Sequence, residues 1–581
     1  MTSSPNFSIE QNNIVNHEGS AFVEACPGAG KTRVLIGRAS KLRENNDNTC
    51  GVAFLSFTNA AVHELDHRLR TAGLIRSPVF PDFIGTFDSF LWHHLVAPFG
   101  VKGSQERPSL IPDLDEVRVA PFPKAQPLPL SYFCPSTGKI IGAAAANQGF
   151  NIAKKKTAII KAYETTAARI RERHSRHALL SYSSARREAL ERIQDSLTGP
   201  VIGAALQCRF REIIVDEAQD CNPDDLMIIS WLKSYGIPVK VMCDPNQAIY
   251  RFRGGVTDHL LEFSKEFSDS DRKKLTGNFR SSPNVCKATT QFQSQDTRGE
   301  SSDSLGPLRE DQTPILILSY SGTSVPSSIG DRYASHLKQK GIETGNGVVI
   351  AATKASANAA VGNLKPVKKR DKVIRLAEAV AGFRLAPTFQ ELTAILQEVH
   401  QIVLELEGKL VDISYHEYIK ESEIDDISWR PRILSLIEGL QFNSRVHFDA
   451  RSWHDHVKSY LSSEIKTVEG GSISQKLRWN SELESVLKVR KQSVVKAKTI
   501  HSVKGKEFPS VCVVTTAQTL KGVLDFLENG EPKDKSEEAR KLYVAVSRAQ
   551  KYLVIAAPKS QAKRLKQHLW QSGTEVDFEE V

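Results

Sequence analysis

A glycine-rich turn near the start of the chain has the composition of a phosphate-binding loop. Residues 25–32 read ACPGAGKT and follow a short apolar run at residues 21–23. The backbone N–H groups of such a turn, together with the positive end of a following helix, attract phosphate. Lys31 is predicted to reach the β and γ phosphates of a nucleotide, and the Thr32 hydroxyl to ligate Mg²⁺. The predicted nucleotide-binding residues here are Ala25 (where glycine is usual), Gly28, Gly30, Lys31 and Thr32.

A second segment ends an apolar run with adjacent carboxylates. Residues 213–220 read IIVDEAQD. One carboxylate at a strand end can hold Mg²⁺ through its water shell, and the next can orient water for attack on phosphorus. Asp216 is therefore the predicted metal ligand, and Glu217 the predicted catalytic base. Because paired acids at a strand end are usually solvated turn residues, this prediction depends on the phosphate-binding turn upstream.

The elements that must position these residues alternate between strands and helices. The apolar runs predicted as strands are residues 21–23, 52–57, 212–215, 239–242, 315–318, 348–352, 511–515 and 553–556, and residues 31–43 are a predicted helix. Alternation of this kind favours a parallel sheet covered on both faces. The sequence predicts an α/β fold with two parallel-sheet cores.

Two stretches interrupt the α/β pattern. Residues 104–135 contain seven prolines and predict the loop-rich beginning of an insertion, whereas residues 151–197 are helical and basic. Such a basic run is either a solvated helix face or a nucleic-acid contact. Residues 366–490 lose the strand pattern and predict helices, as at residues 392–406. The predicted domains are a first core (1–95 and 200–274), its insertion (96–199), a second core (275–365 and 491–581) and its insertion (366–490).

Composition narrows the class of protein. A net charge of +10 suits a polyanionic partner. Such a modest excess of basic residues over 581 residues does not by itself indicate that the partner is a nucleic acid. The eight cysteines form no C-x-x-C pair, which argues against a zinc or iron–sulfur site and for reduced thiols. No run approaches the roughly 18 apolar residues of a membrane span, and the first residues lack signal-peptide features. A cytoplasmic protein is predicted.

These motifs, in this order, resemble those of the UvrD/Rep family of superfamily 1 helicases. DEAQD is that family's form of the second motif, and the further matching segments are residues 54–65, 84–90, 243–255, 275–285, 499–508 and 537–553. The resemblance covers residues 9–95, 210–285 and 495–556 and is faint in both insertions. It implies two RecA-like cores, ATP and Mg²⁺ as cofactors, and 3′ to 5′ movement along single-stranded DNA or at junctions with duplex.

The resemblance also implies roles for residues around the nucleotide. Gln11 matches the glutamine that reads the adenine edge, Phe279 the aromatic that stacks on adenine, and Glu507 the acceptor of a ribose hydroxyl. Gln247 would sense the γ phosphate, while Arg280 and Arg548 would be arginine fingers. The implied catalytic residues are Lys31, Glu217, Gln247, Arg280 and Arg548.

Further matches imply contacts with DNA. These residues are Phe57, Thr58, Asn59, Thr86, Phe87, Tyr250, Phe252, Arg253, Thr499 and His501. Aromatic side chains stack on bases with little dependence on sequence, so RNA is not distinguished from DNA. Asp88 stands where the family usually has histidine, and Lys506 where it has leucine.

Three functions remain open at this point. The first is a DNA helicase of repair or recombination. The second is a translocating ATPase that remodels or signals to a bound nuclease, like the helicase subunits of Gabija-type anti-phage systems. The third is a nucleotide-regulated DNA-binding module without motor activity. Strand displacement separates the first two, and single-turnover hydrolysis tests the third.

Overall fold

The computed structural model describes most of the chain, in ranges separated by short gaps. The described residues are 7–44, 50–75, 79–123, 125–135, 137–249, 257–295, 298, 303–362, 371–386, 388–425, 427–443, 445–466, 471–487 and 495–581. They form two compact units. The first comprises residues 1–90, 190–366 and 491–581, and the second comprises residues 91–189 and 367–490.

The strands are β1 (Ala21–Ala25), β2 (Gly51–Ser56), β3 (Phe83–Thr86), β4 (Ser109–Leu110), β5 (Arg118–Val119), β6 (Leu128–Pro129), β7 (Leu179–Leu180), β8 (Phe210–Val215), β9 (Val239–Cys243), β10 (Arg272–Leu275), β11 (Ile315–Tyr320), β12 (Gly347–Ala351), β13 (Lys496–Thr499), β14 (Phe508–Val514), β15 (Ala549–Pro558) and β16 (Val576–Glu580).

The α-helices are α1 (Ile9–Val15), α2 (Lys31–Glu44), α3 (Asn59–Thr71), α4 (Phe87–Leu91), α5 (Gly142–Ala146), α6 (Thr157–Arg176), α7 (Tyr182–Gln194), α8 (Thr198–Arg209), α9 (Pro223–Ser234), α10 (Thr257–Ser264), α11 (Pro283–Thr290), α12 (Ser328–Gln339), α13 (Lys354–Ala360), α14 (Lys372–Phe383), α15 (Phe389–Glu407), α16 (Tyr415–Glu421), α17 (Arg430–Gly439), α18 (Ala450–Glu464), α19 (Ile473–Lys476), α20 (Leu483–Leu487), α21 (Ala517–Asn529), α22 (Ser536–Val546) and α23 (Lys559–Trp570).

The first unit contains two six-stranded sheets, and the strands of each are parallel. The sheet of the first core has the order β10-β1-β9-β8-β2-β3, and that of the second core has the order β13-β12-β14-β15-β11-β16. Helices connect successive strands, as a parallel sheet requires. The predicted fold class, two RecA-like α/β cores with mainly helical insertions, is confirmed.

The interior strands are apolar along their whole length because both faces of the sheet are covered. In β11, Ile315 and Ile317 pack into one apolar cluster, while Leu316 and Leu318 pack into another on the opposite face. All four are buried. Continuous apolar runs are typical of parallel strands buried on both faces, which explains why these strands were predictable.

The edge strands were not predicted. β3, β10, β13 and β16 lie at the ends of the two sheets. Their sequences are FIGT, RKKL, KAKT and VDFEE, and most of their residues are half-buried or exposed. Strands that are only partly covered tolerate charged side chains, so they lack the apolar run that indicates a buried strand.

The second unit contains both insertions and is mainly helical. Its largest apolar cluster is built by α14, α15, α17 and α18 together with the segments that follow, and the indole of Trp453 is fully buried there. A smaller cluster joins β5, β6 and α6. Among the described helices of the whole chain, none is long and apolar enough to cross a lipid bilayer.

Ion pairs join the first insertion to the second within this unit. The Glu417 side chain is fully buried, and its Oε1 lies 2.7 Å from Arg173 Nη2 and 3.2 Å from His174 Nε2. A second contact between the two insertions lies nearby, where Asp113 Oδ1 accepts a hydrogen bond of 2.8 Å from the Ser414 hydroxyl. We call this contact region between the insertions the seam. Residues far apart in sequence therefore hold α6 against α16.

Replacement of Glu417 by glutamine tests this seam. The change removes the carboxylate that pairs with Arg173, and hydrogen bonds to charged groups contribute about 1.5–3 kcal/mol. We expect faster backbone hydrogen exchange in both α6 and α16. Glu421→Gln, at an exposed position of the same helix, is the control and should leave exchange unchanged. Unaltered exchange in Glu417→Gln would show that the seam does not depend on this charge.

Candidate active site

The predicted chemical residues lie at the carboxyl ends of neighbouring strands. In the first core, β1 leads into the glycine turn, β8 ends before Asp216, and β9 ends before Asp244. These three strands are adjacent in the sheet, in the order β1-β9-β8. The carboxyl ends of parallel strands share one edge of a sheet, where ligands of open α/β folds bind. The topology thus brings together two motifs that are nearly 190 residues apart in sequence.

The glycine turn requires its glycines. Gly28 has φ +74° and Gly30 has φ +77°, in the left-handed region that side chains disfavour. A Cβ on Gly28 would lie 2.3 Å from Oδ1 of Asn278, a residue of the segment after β10. The N–H of Phe279 donates to the Gly28 carbonyl over 2.8 Å. The turn therefore packs closely against the segment that leads into the second core.

Gln11 holds the glycine turn from the side of α1. Its Nε2 donates to the Ala29 carbonyl over 2.9 Å, and its Oε1 accepts from the Ser8 N–H over 3.1 Å. The side chain is buried. The structure brings Gln11 to the turn, and its contact with adenine stays a prediction.

Lys31, Asp216 and Glu217 form a half-buried charged group. Lys31 Nζ lies 3.3 Å from Glu217 Oε1, and the N–H of Glu217 donates to Asp216 Oδ1 over 2.9 Å. Burial raises the pKa of Asp216, although the charge of Lys31 opposes the rise. Burial acts the same way on Glu217, but the positive charges of Lys31, Lys504 and Arg548 outweigh it and lower its pKa. Glu217 is therefore ionised at neutral pH.

Gln247 connects the two cores through Arg548. Arg548 follows α22, and its Nη2 donates to Gln247 Oε1 over 2.9 Å while its Nε donates to the Val544 carbonyl over 3.0 Å. Gln247 Nε2 donates in turn to Asp244 Oδ2 over 2.8 Å. Burial lowers the pKa of Arg548 to about 10, so the guanidinium remains charged at neutral pH.

Lys504 is a residue of this network that the sequence analysis missed. Its Nζ lies 2.6 Å and 2.7 Å from the two carboxylate oxygens of Asp220 and 3.1 Å from the Gln247 carbonyl. Both charged side chains are buried, and burial raises the pKa of Asp220 to about 6 despite the charge of Lys504. The sequence signal that could have identified Lys504 is its position inside the matching segment 499–508, directly after the apolar Val503.

Arg280 is held by Glu507 rather than by the first core. Its Nε lies 2.5 Å from Glu507 Oε2, and its Nη1 donates to the Ser547 carbonyl over 3.2 Å. The other oxygen of Glu507 accepts from Gln550 over 3.1 Å. The predicted contact of Glu507 with ribose stays a prediction, as does the phosphate contact of Arg280.

One cleft of about 660 Å³ collects residues of both cores. Within the described residues, the predicted nucleotide-site residues that line it are Gly28, Gly30, Lys31, Thr32, Asp216, Glu217, Gln247, Phe279, Arg280, Glu507 and Arg548. The lining of the cleft does not include Gln11, which contacts the Ala29 carbonyl, or Ala25, which ends β1. A cradle of backbone N–H groups together with Lys31, Arg280 and Arg548 in one cleft can bind a nucleoside triphosphate.

The predicted DNA contacts of the first core lie around one aromatic pair. Phe57 stacks on Phe87 with ring centres 5.5 Å apart, and Phe87 is only 1% exposed. In this conformation Phe57 has the more accessible ring. Thr58 caps α3 by accepting from the Ala61 N–H over 3.2 Å, and Asn59 is exposed at the start of that helix.

Among the remaining predicted DNA contacts, some lie within the described residues and others do not. Thr86 ends β3, and its hydroxyl accepts from the Ser89 N–H over 3.1 Å. Thr499 ends β13, and His501 begins the short turn that follows. Three predicted contacts lie outside the described residues, namely Tyr250, Phe252 and Arg253.

Replacement of Lys504 by methionine tests whether the buried pair joins the cores. The change leaves Asp220 buried without its cation, which costs about 3–5 kcal/mol for a buried pair. We expect a lower midpoint of thermal unfolding, largely restored in Lys504→Met/Asp220→Asn because neither charge remains. Lys521→Met, at an exposed position, is the control. If Lys504→Met and the parent protein have the same midpoint of thermal unfolding, the pair contributes nothing to stability.

Comparison with known proteins agrees with this geometry. The UvrD/REP helicase N-terminal domain model matches residues 7–268, and the UvrD-like helicase C-terminal domain model matches residues 471–560. Similar proteins include DNA helicase II of Haemophilus influenzae, at 27% identity over 50% of this chain and 41% of that protein. ATP-dependent DNA helicase PcrA of Staphylococcus epidermidis is 22% identical over 95% of this chain and 83% of that protein.

A third relative is ATP-dependent DNA helicase UvrD2 of Mycobacterium tuberculosis, 23% identical over 94% of this chain and 77% of that protein. The chain spans only about two-fifths of the Haemophilus protein. The two family models together span more than half of the 581 residues. The chain therefore belongs to the UvrD/REP helicase family.

Proposed function

We propose that the protein is an ATP-dependent DNA helicase that moves along single-stranded DNA. One observation carries the proposal: Lys31 and Glu217 of the first core and Arg280 and Arg548 of the second line one cleft. A site divided between two cores can convert hydrolysis into relative movement of the cores. The names of the relatives, which are DNA helicases, support DNA as the substrate.

The residues of the cleft fit ATP and Mg²⁺. The glycine turn would cradle the phosphates, and Lys31 would exchange its contact with Glu217 for one with the β and γ phosphates. Thr32 and Asp216 would hold Mg²⁺, which neutralises charge on the phosphate oxygens when bound.

Glu217 is the proposed base. Its pKa is lowered by Lys31, Lys504 and Arg548, so it is ionised and can orient the attacking water. Gln219 holds the second carboxylate oxygen of Glu217 through its Nε2. The base is therefore fixed in orientation on both sides before the substrate binds.

The arginines provide charge from the second core. In phosphoryl transfer negative charge spreads over the γ-phosphate oxygens, which a planar guanidinium can contact at two points. Arg548 already contacts Gln247 at the start of the segment that continues into Tyr250 and Phe252. We infer that this contact couples the state of the nucleotide to the aromatic residues proposed to grip DNA.

Replacement of the two key residues of the first core should separate binding from chemistry. Lys31→Ala removes charge from the cradle, so both ATP affinity and turnover should fall. Glu217→Gln keeps the cradle, so ATP should bind but remain unhydrolysed. Equilibrium binding and single-turnover hydrolysis distinguish the variants. Near-parental turnover by Glu217→Gln would contradict its assignment as the base.

Strand displacement tests the helicase itself. Unwinding of duplexes with a 3′ or a 5′ single-stranded tail is measured for the parent protein and for Lys31→Ala. We expect the parent to unwind only the duplex with the 3′ tail, and only when ATP is present. Hydrolysis stimulated by DNA without displacement of either duplex would overturn the helicase proposal. That outcome would favour an ATPase that remodels or signals to a nuclease partner.

A further inference from the structure

The last strand of the second core has an open edge. β16 pairs with β11 on one side, and within the described residues no strand pairs with its other side. The Ile315 N–H donates to the Glu575 carbonyl over 2.9 Å, and the Val581 N–H donates to the Ser319 carbonyl over 2.8 Å. Backbone groups along a strand alternate in direction, so the N–H and C=O groups of Phe578 point to the open edge. The edge can accept a further strand.

One face of α23 adjoins this edge and is exposed. Its residues Lys563, Lys566, Gln567 and Trp570 follow helical spacing and line a cavity of about 470 Å³ together with Phe578. The opposite face of the helix is buried in the core of the second sheet. The indole of Trp570 is 73% exposed and the Phe578 ring is 37% exposed. Tryptophan is enriched at protein interfaces because it buries a large area at small entropic cost.

The charge at this cavity is positive and unpaired. Lys563 and Lys566 are exposed, and neither forms an ion pair within the described part of the chain. Their neighbours on the helix are neutralised, since Lys559 pairs with Glu580 and Arg564 pairs with Glu528. An acidic partner would therefore find two free ammonium groups beside two exposed aromatic rings.

We propose that the open edge of β16 and the adjoining face of α23 bind an extended, acidic segment of a partner protein. The segment adds a strand to β16 and bonds to the backbone of Phe578. On one face its alternate side chains, about 7 Å apart, place an apolar group against Trp570 and carboxylates against Lys563 and Lys566. This surface shares no residue with the cleft, so it is independent of the proposed helicase activity.

A polypeptide fits this surface better than a nucleic acid does. The edge offers backbone hydrogen bonds at the regular spacing of a strand, which another polypeptide matches in register. β16 also places the exposed carboxylate of Asp577 along the same edge, whereas Glu580 is paired with Lys559. A nucleic acid carries phosphates along its whole length and would be repelled by Asp577, whereas the acidic side chains of a peptide can be confined to the positions that face the lysines.

A synthetic peptide provides the probe. The fluorescein-labelled peptide TEVETFVT places two glutamates and a phenylalanine in succession on one face of an extended strand, and its binding to the full chain is measured by fluorescence anisotropy. Its counterpart with every glutamate replaced by lysine tests charge. A second counterpart with proline at both valines tests pairing with the edge, because proline cannot donate to a ladder of hydrogen bonds.

We expect the acidic peptide to bind and both counterparts to bind at least about tenfold more weakly. Trp570→Ala and Lys563→Glu/Lys566→Glu should each weaken binding by about tenfold or more. Lys338→Glu/Lys521→Glu, a matched charge reversal at exposed positions elsewhere, should bind as the parent does. ATP turnover should be unchanged in all four proteins, which shows that the fold is intact.

Several results would overturn the proposal. One is a dissociation constant above about 1 mM for the acidic peptide. Equal binding by the parent and by Trp570→Ala or Lys563→Glu/Lys566→Glu is another, since the probe would then bind elsewhere. Preferential binding of a single-stranded oligonucleotide that Lys563→Glu/Lys566→Glu abolishes would assign the surface to nucleic acid. Dimerisation of the parent that Trp570→Ala abolishes would assign it to a second copy of the chain.

Discussion

The buried ion pair between Asp220 of the first core and Lys504 of the second is the interaction on which the candidate site depends. Both side chains are almost fully buried, and the removal of charge from water is tolerated only where an opposite charge lies close by. The carboxylates of Asp216, Glu217 and Asp220 follow β8 within five residues, whereas one lysine of the same core faces them. The second core provides the further cations, Lys504 and Arg548.

The protonation state of Glu217 follows from this distribution. Of the three cations that lower its pKa, Lys31 comes from the first core while Lys504 and Arg548 come from the second. A first core separated from the second would keep Lys31, which makes the largest of these contributions to the pKa of Glu217, but would lose Lys504 and Arg548. In the proposed mechanism, contact between the cores thus supports the ionised state of the base, which would link hydrolysis to movement of the cores.

The sequence predicted those parts of the structure that have a local signal. Interior strands such as β8 and β11 appear as apolar runs, and the glycine turn appears through positions that need positive φ. Edge strands such as β10, with the sequence RKKL, have no such signal. Lys504 was missed because only the fold shows which carboxylate it faces. The ring of Phe87 is buried and stacks on Phe57, an order that sequence spacing does not show, and its contact with DNA stays a prediction.

The insertions show more clearly that contacts between residues distant in the chain cannot be predicted from sequence alone. Their basic helix α6 was predicted as a solvated or DNA-binding face. In the structure Arg171 donates to the carbonyls of Cys134 and Phe133 over 2.6 Å each, and Arg173 pairs with Glu417. Arg171 thus stabilises the first insertion internally, and Arg173 joins it to the second through a partner 244 residues away in the chain. A charge count along the sequence does not distinguish such residues from those that face solvent.

The most direct test of the two-core site is turnover by Arg548→Lys/Arg280→Lys, measured with DNA present and together with nucleotide affinity. Lysine keeps each charge but loses the planar fork that contacts two phosphate oxygens. We expect nearly unchanged ATP affinity and turnover reduced by about 10³ or more, the range that arginine fingers contribute. Turnover within about threefold of the parent, as for substitutions on a solvated face, would contradict it.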